Sequence, residues 1–225
     1  ILLCIPVLFI YFSFFANAFI LDSTGELTLQ NFQFLYQPIQ LSQYTVEPIG
    51  KAFRNTVIFT AIATTLEVTI SCMAGYALAR MEFTGKRVIS FSLLTLRLFP
   101  GVLLLIGVLY VLLHLGILNT LTGVIVVAIA LRLPGSTFII RNFFAGIPQD
   151  IENSALVDGC NRLTAFFQVI IHMVKPGLAS ISIFAFMSAW SNYLLFNVLI
   201  FNTKTPVLAT YLRVLSRNDQ MIADY

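Results

Sequence analysis

The chain has 225 residues, of which 58% are hydrophobic and only 10% charged, with a mean hydropathy of +0.90 and a formal net charge of +3. Soluble domains carry roughly 25% charged residues, so this chain has too few charges to cover a water-facing surface. That excludes a soluble enzyme and a disordered chain, and the small net charge offers no basic face for nucleic acid. What remains is an all-α, polytopic membrane helix bundle forming a single transmembrane domain over 1–225.

A helix that crosses the hydrocarbon core needs about 20 mostly apolar residues. Five segments qualify, at about 1–21, 53–79, 88–115, 121–140 and 177–201. The first begins at Ile1 rather than Met, which suggests a trimmed N-terminus. It reads as a membrane helix rather than a signal-peptide remnant, because no small-x-small cleavage site precedes Asp22. The second is interrupted only by Glu67. The third carries Arg97 and the Pro100–Gly101 pair, and the fourth carries Arg132 and Pro134–Gly135. Both Pro–Gly pairs are expected to bend their helices. All five must be helical, because lipid offers backbone groups no other partner.

The connectors differ in character. Residues 22–52 are polar and aromatic and read as an ordered external loop or surface helix. Arg80–Arg87 is short and basic, Gly116–Thr120 is a tight turn, and 141–176 is long and mixed in charge. Short loops weigh most in the positive-inside rule, and Arg80, Lys86 and Arg87 place their loop in the cytoplasm. Alternation of the spans then makes 141–176 cytoplasmic too.

That loop has clear local mechanics. Pro148 suits the first turn of a helix, and Asp150 and Glu152 favour its N-terminal dipole. Asp158–Gly159 ends the helix, with Gly159 free to turn left-handed. Asn161 can cap the next helix, on which Phe166, Val169, Ile170 and Met173 share one face. These mechanics fit a docking element and an interfacial hairpin equally.

Charges inside apolar spans are costly and face protein or a water-filled cavity. Counted from the cytoplasmic ends at about 1.5 Å per residue, Glu67 lies roughly 18 Å deep, and Arg97 and Arg132 roughly 14 Å. One reading is a structural pair between Glu67 and an arginine. The other puts Arg97, with Glu67, Arg132 and the polar Asn192 of the fifth span, on a substrate path. Trp190, Tyr193 and Tyr110 suit sugar stacking, but packing or an interfacial belt explains them better. No Gly-x-x-x-x-Gly-Lys-Ser/Thr motif occurs, and His114, His172, Cys4, Cys72 and Cys160 are scattered. No metal or catalytic site is expected in this chain.

At the loop the sequence resembles the permease subunits of binding-protein-dependent ABC importers, of the carbohydrate type that includes the maltose system. Their loop reads Ile-Pro-x-Glu-Leu-Glu-Glu-Ala-Ala-x-Ile-Asp-Gly-Ala, and this chain matches at Ile147, Pro148, Glu152, Ala155, Asp158 and Gly159. Further landmarks follow the family's order: Arg54-Asn55-Thr56, Gly75-Tyr76-Ala77-Leu78-Ala79-Arg80, Phe99-Pro100, Leu115-Gly116-Ile117-Leu118-Asn119-Thr120 and Ile140-Arg141-Asn142-Phe143-Phe144. The chain departs from the pattern where Glu-Ala-Ala reads Asn153-Ser154-Ala155, where Cys160 replaces Ala, where His172 replaces a Pro, and at Trp190-Ser191-Asn192. The loss of acid at Asn153 leaves Glu152 as its neighbouring substitute.

The resemblance implies a coupling helix made of Pro148, Asp150, Glu152, Asn153, Ser154, Ala155, Asp158 and Gly159, docking on a separate cytoplasmic ATPase. It implies a second permease subunit, two ATPase subunits, an extracellular solute-binding protein and a bacterial or archaeal plasma membrane. ATP and Mg would bind the ATPase, not this chain. The cargo would be a sugar or related solute, with polyamine, phosphonate or peptide as alternatives and a channel or membrane enzyme as the rival class. A sixth span is expected after Tyr225.

Overall fold

The computed structural model describes residues 4–20, 48–201 and 206–213, together with positions 27, 29, 32, 35–40 and 45–46. About half of the expected external loop 22–52 lies outside the described residues. Within it is one two-residue antiparallel hairpin, β1 (Ile39–Gln40) and β2 (Thr45–Val46), pairing Ile39 with Val46. Among the described residues the other regular elements are helical, apart from an isolated antiparallel bridge between Ile20 and Leu27.

Helix α1 (Cys4–Asn17) is apolar on all sides, and Leu8, Phe9, Tyr11 and Phe12 are exposed. A helix hydrophobic all round belongs in lipid or against another protein. Helix α2 (Ile49–Arg80) begins four residues before the expected boundary and has 32 residues. At 1.5 Å per residue it is about 48 Å long, well beyond a hydrocarbon core of about 30 Å. Its two ends therefore reach the polar layers, and each end is tied down there. At one end Asn55 donates to the carbonyl of Pro206 (2.9 Å) and the hydroxyl of Thr56 accepts from the amide of Leu208 (2.9 Å). At the other, Arg80 Nη2 donates to the carbonyls of Phe144 (2.9 Å) and Ile147 (2.6 Å). The Arg80–Arg87 connector and the 141–176 loop thus share one end of the bundle.

The two Pro–Gly pairs behave differently. Pro100 splits the third expected span into α3 (Lys86–Leu96) and α4 (Gly101–His114), with Pro100 itself extended (φ −60°, ψ 123°). A residue preceding proline is pushed out of the helical region, so the helix stops before Phe99. Pro134, by contrast, sits inside the continuous helix α5 (Leu121–Ala145), capped by Thr120, whose hydroxyl accepts from the amide of Gly123 (3.1 Å). Pro134 is buried, and the packing of α5 along α2 holds the helix together there. The helices are in close contact at Gly75, where an added Cβ would run into Ile140 Cγ2 and lie 3.0 Å from the amide nitrogen of Arg141. Gly75→Val is expected to destabilise the chain by about 1–3 kcal/mol through overpacking. A lowered melting temperature in detergent checks this.

Short helix α6 (Gln149–Val157) follows α5. The next helical run comprises α7 (Arg162–Ala165), a π turn (Phe166–Ile170) and α8 (Ile171–Met173). The wider π turn moves the buried stripe. Phe166, Ile170 and Val174 are buried, and Met173, expected on that face, is exposed. After a bend of 78°, α9 (Lys175–Trp190) runs back into the bundle. The fifth expected span does not stay one helix: Ser191 and Asn192 break it, and α10 (Tyr193–Leu199) continues with Asn192 as its cap. Among the described residues, α2 and α5 are the helices individually long and apolar enough to cross a membrane, with the bent 162–190 pair as a possible third. Of the five expected spans, the third is broken outright at Pro100 where a bend is expected, the fourth runs on through Pro134, and the fifth, which hydropathy alone joins, is divided at Ser191–Asn192.

Two apolar clusters hold the bundle. One gathers Phe59, Leu105, Leu112, Val124, Phe196 and Leu199 toward the 206–208 end. The other gathers Tyr76, Ile140, Phe144, Phe166, Ile170 and Val174 toward the α6 end. In a bilayer such packing works through close contact rather than expulsion of water. The interlocked aromatic rings of Tyr76, Phe144 and Phe166 suit this. Between the clusters, along α2, lies Glu67.

Candidate functional site

The predicted residues fall into two places: the α6 hairpin at one end of the bundle, and a charged group midway along it.

Helix α6 starts after Pro148, which caps it from outside (φ −56°, ψ 135°) rather than occupying its first turn as expected. Its C-terminus is a complete Schellman closure. Gly159 has φ +92°, its amide donates to the carbonyl of Leu156 (3.2 Å), and the amide of Cys160 donates to that of Ala155 (3.0 Å). Asn161 then caps α7, its Oδ1 accepting from the amide (2.8 Å) and hydroxyl (2.9 Å) of Thr164. Local residue choice alone thus fixes a rigid helix, a reversed turn and a second helix start.

The helix has two faces. Asp150, Asn153, Ser154 and Asp158 line an exposed depression of about 370 Å³ together with Val157. Val157 is 86% exposed and Leu163, just past the turn, 70%. Glu152 and Ala155 point the other way and are buried. Glu152 Oε1 accepts from the hydroxyl of Tyr76 (2.7 Å) and Oε2 lies 3.5 Å from Arg80 Nε, an ion pair without hydrogen-bond geometry. Glu152 is therefore not a surface acid that takes over from the missing one at Asn153. It fastens α6 to the last turn of α2. In the sequence Tyr76 stands only as a family landmark and Arg80 as a landmark and a basic loop residue, neither as a partner of Glu152. Their spacing of four puts them on one face of α2, and that was the available signal.

Midway along the bundle Glu67 is 2% exposed and both of its oxygens are engaged. Arg132 Nε donates to Oε2 (3.0 Å), and the hydroxyl of Ser136 donates to Oε1. Arg132 Nη2 also donates to the carbonyl of Phe184 (3.1 Å), so one guanidinium joins α2, α5 and α9. Of the two arginines available to Glu67, Arg132 is its partner. Arg97 lies in the break between α3 and α4, exposed, with its guanidinium over the ring of Phe138 at 5.6 Å. Ser136 was missed in the sequence because one hydroxyl, four residues after Arg132, gives no signal of its own.

Arg97, Arg132 and Ser136 line a cavity of about 340 Å³ between the α3–α4 break, α5 and α9. A second cavity of about 320 Å³ adjoins it, sharing Gly101, Leu131 and Arg132, and adds Ser188, Ser191 and Asn192. Of the predicted path residues, Arg97, Arg132 and Asn192 border this double cavity, while Glu67 stands behind its wall. Trp190 stacks on Phe186 (5.7 Å) and meets Phe53 edge-on, as a packing residue does. Among the described residues no cluster of side chains is arranged to hold a metal.

Residues 67–218 match the family of binding-protein-dependent transport system inner membrane components. The chain belongs to that family. The match begins at Glu67 and contains the ion pair, both cavities and the whole α6 hairpin. Among its relatives, the diacetylchitobiose uptake system permease protein NgcG of Streptomyces coelicolor is 35% identical over 199 residues, covering 87% of this chain and 64% of NgcG. The sulfoquinovosyl glycerol transport system permease protein SmoH of Agrobacterium fabrum is 32% identical over 194 residues, covering 84% of this chain and 67% of SmoH. The maltodextrin transport system permease protein MdxG of Bacillus subtilis is 27% identical, covering 90% of this chain and 70% of MdxG. The chain spans about two thirds of the length of these curated relatives. In fold it is similar to a crystal structure of a bacterial ABC transporter involved in import of the acidic polysaccharide alginate. The TM-score is 0.66 at 24% identity, over 73% of this chain and 57% of that one.

Proposed function

We propose that this inner membrane component is a permease subunit of an ATP-driven ABC importer, forming half of the translocation path for a sugar or related small solute. It works beside a second permease subunit, two ATPase subunits and an extracellular solute-binding protein, in the plasma membrane of a bacterium or archaeon. The chain crosses the membrane five times, counting α3–α4 and α9–α10 as broken spans. Carbohydrate cargo is supported by the substrates named for its relatives. ATP and Mg bind the ATPase, and this chain performs no chemistry of its own.

The observation that carries the reading is the two-faced α6. Its exposed face offers the depression lined by Asp150, Asn153 and Asp158 and the bare apolar knob Val157, with Leu163 of α7 exposed just past the turn. Its buried face is locked by Glu152 to Tyr76 and Arg80 of a helix that runs the depth of the bundle. A rigid element fixed to a long helix passes a push from the ATPase into the cavity walls as a rigid-body shift.

Gly159→Pro tests this. Proline cannot adopt φ +92° and removes the amide that closes onto Leu156. The co-expressed variant should still insert and assemble with the second permease, lose the ATPase on co-purification, and lose substrate-stimulated ATP hydrolysis. Full retention of stimulated hydrolysis would count against α6 as the coupling element.

A further inference from the structure

The geometry points to an acidic cargo: the double cavity is built to hold a saccharide bearing a single anionic group, with Arg97 as its counter-charge. The inference rests on the transport reading above and adds the substrate class.

It starts from charge accounting inside the bundle. Three charged groups lie at or behind the cavity wall, Glu67, Arg97 and Arg132. Glu67 is consumed, with one oxygen on Arg132 and the other on Ser136. Arg132 is correspondingly neutralised and turned toward Glu67 and the carbonyl of Phe184. That leaves Arg97. Among the described residues no carboxylate pairs with it, and its described contact is the face of Phe138, which attracts a cation without cancelling its charge. A guanidinium is not deprotonated in a protein, so this chain's side of the cavity keeps one net positive charge. Such a charge within a membrane is costly and is retained for a pathway or a partner.

The shape around Arg97 suits a ligand rather than a structural pair. The guanidinium sits in a backbone break, not on a helix face, and Gly135 opposite leaves the wall open. A Cβ added there would find Arg97 Nε as its nearest neighbour, at 3.9 Å. The planar fork of arginine matches a carboxylate in bidentate geometry. Away from Arg97, the adjoining cavity presents the uncharged polar side chains of Ser188, Ser191 and Asn192, which suit hydroxyls. The larger lobe, at about 340 Å³, falls at the small end of ligand sites, whose volumes run from about 300 to 1,000 Å³. One charged end and one hydroxyl-binding end describe an acidic sugar unit better than a neutral one.

The test uses the purified assembly of both permeases and the ATPases, without the solute-binding protein, so that the membrane cavity alone is read. Binding of labelled glucuronate is measured by equilibrium dialysis at fixed ionic strength, against glucuronamide, its uncharged isostere. Glucuronate should bind and glucuronamide should not compete. Arg97→Gln should weaken glucuronate binding roughly tenfold or more, the scale of one hydrogen-bonded charge pair, and Arg97→Lys should recover part of it. Equal binding of glucuronate and glucuronamide overturns the proposal, and so does absence of glucuronate binding to the wild-type assembly. If Arg97→Gln instead separates the two permeases and leaves glucuronate binding by the intact assembly unchanged, Arg97 is an interface residue and the proposal falls. An assembly that couples ATP hydrolysis to a neutral sugar with no preference for acid refutes the cargo class while leaving the transport reading intact. Failure to assemble with an ATPase at all refutes the transport reading instead.

Discussion

Arg132→Ala should be the most destabilising single substitution in the bundle. It strips the cation from Glu67, whose side chain is 3% exposed and cannot reach water. Breaking a buried ion pair from one side costs about 3–5 kcal/mol, because the remaining charge stays buried. The two partners are not equivalent. The Arg132 side chain is 26% exposed and borders the cavity, so after Glu67→Gln it keeps the carbonyl of Phe184 and gains access to water in the cavity. Glu67→Gln should therefore cost clearly less than Arg132→Ala. The double variant Glu67→Leu/Arg132→Met should recover most of the loss, since a buried pair replaced by apolar groups of similar volume is often neutral. For a chain of this size the Arg132→Ala loss corresponds to a fall in melting temperature on the order of 10 °C, readable by thermal denaturation in detergent. A melting temperature equal to wild type for Arg132→Ala would show that the pair does not hold α2, α5 and α9 together.

The unequal legibility of the two sites has a physical cause. The α6 hairpin was readable because its determinants are local: proline before a helix, glycine after it, and asparagine at the next cap each act within four residues. Even there the register slipped by one at Pro148, and the π turn moved the buried stripe from Met173 to Val174. The existence of a Glu67 pair was also readable, since a charge in an apolar span has few options, yet depth counting could not choose between Arg97 and Arg132. That choice depends on which face of α5 meets α2, which is set by contacts such as Gly75 against Ile140 and invisible in one sequence. The interruption at Pro100 is legible as a bend, since proline acts locally, but the one at Ser191–Asn192 is not, because a hydropathy window averages across two polar residues. The inward turn of Glu152 was missed because an acid in a helix's first turn has a sufficient local explanation in the helix dipole. The stronger cause lies 76 residues away at Tyr76.

That long-range bond gives the second large effect. On the transport reading proposed above, Glu152→Ala should uncouple ATP hydrolysis from substrate while leaving the outward face of α6, proposed to meet the ATPase, chemically unchanged. The substitution removes the acceptor for Tyr76 and leaves Arg80, with a side chain 7% exposed, facing an empty site. Arg80 still holds the carbonyls of Phe144 and Ile147 through Nη2, so the end of α5 remains attached to α2. What loosens is α6 itself, whose remaining inward contacts are Ile151 and Ala155. Tyr76→Phe removes one hydroxyl bond and keeps the ring packing against Phe144 and Phe166. It should cost only about 1–3 kcal/mol, the penalty for an unmatched polar partner. The expected order of lost stimulation is Glu152→Ala, then Glu152→Gln, then Tyr76→Phe, with the ATPase still co-purifying in each. Asn153→Arg, placed on the outward face, should do the reverse and weaken ATPase retention before it alters stimulation in the complexes that remain. Measured side by side, the two patterns separate a residue that positions the coupling helix from one that touches the partner. If Glu152→Ala released the ATPase as readily as Asn153→Arg, the buried lock would not be a distinct step in the path from nucleotide to cavity.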